Sequence, residues 1–194
     1  MNERINRFLQ RNSLRLVRKI SKGFSAEVFE VQNEKGEGFA LKIERTKSPR
    51  KEMVQKEARY LEKANSLGIG PKLIGFDLEN RAILMELIDG IPFGKWVLQE
   101  NISKKQLQKV VDSLLQQAKK LDSIGLDHGQ LAGKGKNILV KPNAEPVIID
   151  FEKASDHRKV HNKTQLESFL FRNPNSGIAK RVCELLPKYS MFRI

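Results

Sequence analysis

One cysteine, Cys183, stands among 194 residues. No disulfide can form within the chain, which fits a reducing, cytoplasmic setting. No apolar run approaches the ~20 residues that a membrane-crossing helix needs. The charged opening has no apolar signal core, so neither a membrane partner nor a secretion signal is expected. The sequence also lacks internal repeats and low-complexity tracts, which argues against a solenoid or a large disordered region. Acid is in short supply: 36 Lys and Arg face 23 Asp and Glu, a formal net charge of +13. That surplus favours an anionic partner such as a nucleotide, RNA or an acidic protein, without choosing among them.

What is present is enough for one domain, or two small lobes. Apolar residues make up 39% and can fill a core of ordinary size. Residues 3–11 read as a short helix with Ile5, Phe8 and Leu9 on one face and Arg4, Arg7 and Arg11 on another. Leu14–Ile20, Val28–Gln32 and Phe39–Glu44 read as three strands joined by short turns, an antiparallel meander. A helix is expected from Ser48-Pro49 to about Leu67, ending at Gly68-Ile69-Gly70-Pro71. Leu73–Asp77 and Ala82–Ile88 make a further hairpin. Residues 89–94 break the pattern and read as a hinge. Beyond them come a short helix at Trp96–Glu100, a long one at Ser103–Ile124, a polar loop at 126–136, a small hairpin (Ile138–Val140 and Val147–Ile149) and two closing helices at Thr164–Phe171 and Gly177–Leu186. The fold class is α+β, with a strand-rich lobe over 1–88, a hinge over 89–94 and a reduced helical lobe over 95–194.

Several residues fit a chemistry of phosphate and metal. A glycine at position 23, in the turn that also carries Ser25, lets backbone N–H groups approach phosphates with no Cβ in the way. Lys42 sits inside an apolar strand, where a charge needs a partner. Glu57 in the following helix is the natural holder, with Glu52 the other candidate. Glu86 and Leu87, on a strand leaving the sheet, offer backbone groups to an adenine. Asn137 follows the loop Asp127-His128-Gly129-Gln130, and Asp150 ends an apolar strand. An amide oxygen and a carboxylate are hard donors that suit magnesium.

Taken in order, these pieces resemble the eukaryotic-like protein kinase superfamily. Ser21-Lys22-Gly23-Phe24-Ser25-Ala26-Glu27-Val28 is similar to a reduced Gly-rich loop. Ala40-Leu41-Lys42 resembles the strand-three lysine motif, and Glu57-Ala58-Arg59-Tyr60-Leu61 the helix of its partner glutamate. Asp150-Phe151-Glu152 stands where that family has Asp-Phe-Gly. The resemblance is nearest to the small atypical microbial branch, which includes the RIO kinases, the compact kinase of the KEOPS complex and archaeal Ser/Thr kinases of this size. It implies a two-lobe kinase-like fold and the cofactors ATP and Mg²⁺. Lys42 and Glu57 would serve the phosphates, and Asn137 and Asp150 the metal. Gln130 fills the slot of the catalytic aspartate. A glutamine orients a hydroxyl but cannot take its proton at neutral pH, so Asp127 is the candidate replacement base. Three activities are expected from this set: a Ser/Thr protein kinase acting on a protein substrate, itself included; an ATP-binding pseudokinase in an RNA-associated assembly; and a small-molecule kinase.

Overall fold

The computed structural model describes residues 3–46 and 52–192, with the side chains of 190–192 excluded. The chain divides into two compact units. The first runs to Ser66 and resumes over Pro71–Ile88; the second holds Leu67–Gly70 and the residues from Asp89 onward.

In the first unit, α1 (Glu3–Arg11) precedes strands β1 (Leu14–Lys22), β2 (Ala26–Asn33) and β3 (Gly38–Glu44). Helix α2 (Met53–Asn65) follows, and then β4 (Leu73–Asp77) and β5 (Ala82–Glu86). The five strands pair antiparallel in the order β1-β2-β3-β5-β4. The expected opening of α2 at Ser48-Pro49 lies outside the described residues.

Strand periodicity divides β3 between two faces. Leu41 and Ile43 enter a core with Ile5, Phe8 and Leu9 of α1 and with Phe29, Val31, Ala82 and Leu84. Each large apolar side chain buried there contributes ~1.5–3 kcal/mol. Lys42 lies between Leu41 and Ile43 and belongs to the opposite face. Its register partner there is Ile83, which packs with Val54 and Ala58 of α2.

The second unit begins with a short strand, β6 (Ile91–Pro92), and one helical turn, α3 (Phe93–Trp96). Both differ from the sequence expectation. Gly90 permits the strand, because a Cβ there would stand 3.0 Å from the Val140 carbonyl oxygen. The turn starts at Phe93 rather than Trp96: Val97 N–H closes it on the Phe93 carbonyl at 2.9 Å, directly after Pro92.

Helix α4 (Lys104–Ser123) starts at a capping box, in which Ser103 Oγ accepts from Gln106 N–H and Gln106 Oε1 accepts from Ser103 N–H. Its face of Leu107, Val110, Val111, Leu114, Ala118 and Leu121 is buried. Strands β7 (Ile138–Val140) and β8 (Pro146–Ile148) join β6 in a three-stranded antiparallel sheet. Helix α5 (Asn162–Glu167) runs into a π-helical turn at Ser168–Arg172, and α6 (Gly177–Leu185) follows. No described helix is long and apolar enough to cross a membrane.

Candidate active site

Lys42 and Glu57 meet in the first unit. Lys42 Nζ donates to Glu57 Oε1 at 2.7 Å, and both residues are buried, 8% and 3% exposed. Glu57 follows Met53 by one turn and precedes Leu61 by another, so it lies on the buried face of α2. A carboxylate on an apolar helix face and an ammonium on an apolar strand face carry a large desolvation cost, which each offsets for the other. Glu52 is exposed and pairs with Lys56 at 3.6 Å instead.

The β1–β2 turn is closed by Gly23 N–H donating to the Ala26 carbonyl at 2.8 Å. Phe24 at its tip is 74% exposed, whereas Ser25 is buried and its carbonyl accepts from Arg45 N–H at 2.8 Å. At the end of β5, Glu86 donates its N–H to the Lys72 carbonyl at 2.8 Å, and its side chain accepts from Lys72 N–H at 3.1 Å. Leu87 comes next, beyond the strand.

In the second unit the loop after α4 and the end of β8 are locked together. Asn137 Nδ2 donates to the Gln130 carbonyl at 3.1 Å, which turns the amide oxygen of Asn137 the other way. Ile149 N–H donates to the Asn137 carbonyl at 2.9 Å. The Ile149 carbonyl lies 3.0 Å from His128 Nε2, whose ring is fully buried and packs edge-on against Phe151. Both backbone groups of Ile149 are therefore held. The next residue, Asp150, adopts a left-handed conformation at φ 67°. An L-residue takes that conformation at some cost, and such strain gathers at functional positions. Asn137 and Asp150 thus supply two hard oxygen donors from neighbouring, braced segments.

Asp127 has a different setting from the one expected. It is 1% exposed and lies 2.8 Å from Arg158 Nη2 and 3.4 Å from His161 Nδ1. Its backbone pairs with Ser155 in both directions. Oδ2 of this enclosed carboxylate faces Arg158, and Oδ1 is buried with no hydrogen-bond partner among the described residues. Gln130 is half-buried at the mouth of the same loop.

A family model for the RIO domain matches residues 19–172. The chain belongs to the RIO domain family. That family is one of atypical, kinase-like, ATP-binding phosphotransferases that generally use ATP and Mg²⁺. An uncharacterized protein of Methanocaldococcus jannaschii is 35% identical over 102 residues, which span 53% of this chain and 83% of that protein.

Two supports of this RIO domain escaped sequence reasoning. Arg158 is one, and Asn162 the other. Asn162 is fully buried. Its Oδ1 accepts from His128 N–H at 2.8 Å, and its Nδ2 donates to the Leu126 carbonyl at 2.7 Å and to Asp122 Oδ1 at 2.8 Å. Asp122 in turn caps α5 by accepting from the N–H groups of Asn162 and Lys163. The only sequence signal for Arg158 is its place in the basic run His157-Arg158-Lys159; Asn162 carries none.

Proposed function

We propose that this RIO domain is an ATP- and Mg²⁺-dependent phosphotransferase that acts on serine or threonine hydroxyls of proteins, its own included. In this reading residues 1–88 are the nucleotide lobe, 89–94 the hinge and 95–194 a reduced helical lobe. The bracing of Asn137 and Asp150 through Ile149 is the observation that carries it. Magnesium keeps phosphate and water ligands and needs only one or two protein oxygens. The Asn137 amide oxygen and the Asp150 carboxylate fit that demand.

The residues divide the work as follows. Lys42, oriented by Glu57, neutralises phosphate charge. The Gly23–Ser25 turn covers the phosphates with backbone N–H groups. With the Glu86 N–H engaged by Lys72, the backbone at Leu87 is the better placed to meet the base. Asn137 and Asp150 hold the metal, which when bound supplies charge stabilisation to the transferred group. Gln130 orients the acceptor hydroxyl through its side-chain amide. Asp127 anchors Arg158 instead of acting as a base. General-base help is typically worth ~10²–10⁴-fold, whereas phosphoryl transfer rests mainly on positioning and charge. A slow transfer is the expected behaviour.

The test is ATP affinity with and without Mg²⁺, paired with labelling of protein by γ-labelled ATP. Lys42→Ala should weaken ATP binding under both conditions. Asp150→Ala should abolish the Mg²⁺ dependence and the labelling. Labelling that survives Asp150→Ala would sink the reading. Gln130 in the base slot also favours a second reading, an ATP-binding scaffold in an RNA-associated assembly. It is distinguished by ATP binding with no transfer and by salt-sensitive RNA affinity.

A further inference from the structure

Exposed cations cluster around Gln130. On the first unit some basic side chains face acids: Arg18 pairs with Glu30, Lys19 with Glu27 and Arg11 with Glu79. Around Gln130 the acids are partly or wholly covered. Asp127 is buried, Asp156 has a side chain only 14% exposed, and Asp150 and Glu152 are half-buried. The lysines beside them are all exposed: Lys134 and Lys136 on the loop after Gln130, and Lys153 and Lys159 on the segment after Asp150. None of the four has a described acid within ion-pair contact.

Two contacts fix this basic surface next to the site. Lys134 is held against Gly94, where a Cβ would stand 2.5 Å from the Lys134 carbonyl oxygen. Arg158 Nη2 donates to the Lys153 carbonyl at 2.6 Å and pairs with buried Asp127. Gly129, at φ 77°, packs on both: a Cβ there would lie 2.5 Å from Arg158 Nη2 and 2.6 Å from the Lys153 carbonyl. The residue after Gly129 is Gln130. The Arg158–Asp127 pair therefore pins the 153–159 segment directly beside the residue that would orient the acceptor.

We propose that the exposed lysines of 134–136 and 153–159 dock an acidic protein segment carrying the acceptor hydroxyl. This rests on the kinase reading and names its substrate class. A surface with exposed lysines and partly covered acids repels cationic peptides and attracts anionic ones, which gives discrimination and a fast encounter. Single-stranded RNA is the less suited polyanion, because its recognition uses exposed aromatic platforms for base stacking. No Phe, Tyr or Trp among the described residues of this unit is exposed.

The test uses the full chain and three fluorescent probes: an Asp/Glu-rich peptide with alanine at the acceptor position, the same peptide with Lys/Arg flanks, and an oligouridylate of equal length. The acidic peptide should bind at low salt, lose affinity as salt rises, and weaken at least tenfold in Lys153→Glu/Lys159→Glu. ATP affinity should not change in that variant. Lys134→Gln/Lys136→Gln gives a second, milder loss should the first fold poorly. With a serine acceptor, the charge reversal should raise KM about tenfold and leave kcat within twofold. Equal binding of acidic and basic peptides, binding of the oligouridylate in preference to the acidic peptide, or unchanged affinity in both variants overturns the proposal. The binding assay needs no nucleotide. A wild-type chain that holds the acidic peptide but no ATP would therefore sink the kinase reading and still support the docking surface.

Discussion

Lys42 Nζ stands 2.7 Å from Glu57 Oε1, with both side chains almost wholly removed from solvent. Removing one partner takes the nearest counter-charge from a buried ion. Glu57→Ala is expected to destabilise the first unit by about 3–5 kcal/mol in urea unfolding. Replacing both partners by apolar residues of similar size, Lys42→Met with Glu57→Leu, should come near neutrality or raise stability. That double variant should stay folded and lose ATP affinity, which separates the pair's role in binding from its role in folding.

Asp150 combines a left-handed backbone with a proposed role at the metal. Glycine adopts φ near +67° without the Cβ penalty. Asp150→Gly is expected to raise stability by up to about 1 kcal/mol, read as a higher melting temperature. The same change should abolish the Mg²⁺ dependence of ATP binding. Lower stability in Asp150→Gly would show that the side chain, not the strain, dominates at this position.

Gln130 and Asp127 exchange the roles that chemistry alone would give an amide and an acid. Gln130→Asp is expected to speed transfer by at least about tenfold and up to ~10⁴-fold, since it restores a proton acceptor at the mouth of the loop. Asp127→Asn is expected to cost stability through the lost Arg158 pair, with transfer falling only as far as the loop loosens. Steady-state rates and thermal unfolding of the two variants check this. A loss of transfer of ~10²-fold or more in a still-folded Asp127→Asn, or a slower Gln130→Asp, would reverse the assignment.

The β4–β5 turn carries a pH signature. Burial alone would raise the pKa of Asp77. The hydrogen bonds from Asn80 N–H and Nδ2 and from the Glu79 backbone, with the nearby Arg11 charge, outweigh it and hold the pKa below the ordinary 3.8. A depressed acid contributes stability above its unfolded pKa and loses it as pH falls through the folded value. Acid unfolding of the native chain should therefore show a loss that begins below about pH 4 and is reduced in Asp77→Asn. The effect should be small, because Asp77 is only half-buried.

Legibility followed the range of the interaction. Lys42 and Glu57 could be proposed as a pair from sequence because a charge inside an apolar strand needs a partner and the next helix offers glutamates, with Glu52 left as the alternative until the structure paired Lys42 with Glu57. Asn137 and Asp150 were legible as candidate donors, each at the edge of an apolar strand, and the structure braces both segments through Ile149. The enclosure of Asp127 was hidden for the opposite reason. Its burial comes from Ser155 and Arg158, far along the chain, and nothing in Leu126-Asp127-His128-Gly129 records that the carboxylate faces inward. The one-turn helix at Phe93–Trp96 and the strand at Ile91–Pro92 were equally hidden. Two residues carry no periodicity, and it is pairing with Val140 and Leu139 that makes them a strand.

The sequence by itself determined the α+β order, the alternation that sends Lys42 to one face of its sheet, and the residue types that suit phosphate and magnesium. Those follow from local geometry, because strand and helix periods assign faces without reference to distant partners. Only the tertiary structure decided that Asp127 anchors Arg158, that Ile149 is held at both its N–H and its carbonyl, and that Asp127 is enclosed while the lysines near Gln130 are exposed. Burial of a charge depends on what packs over it, and that is a property of the folded chain.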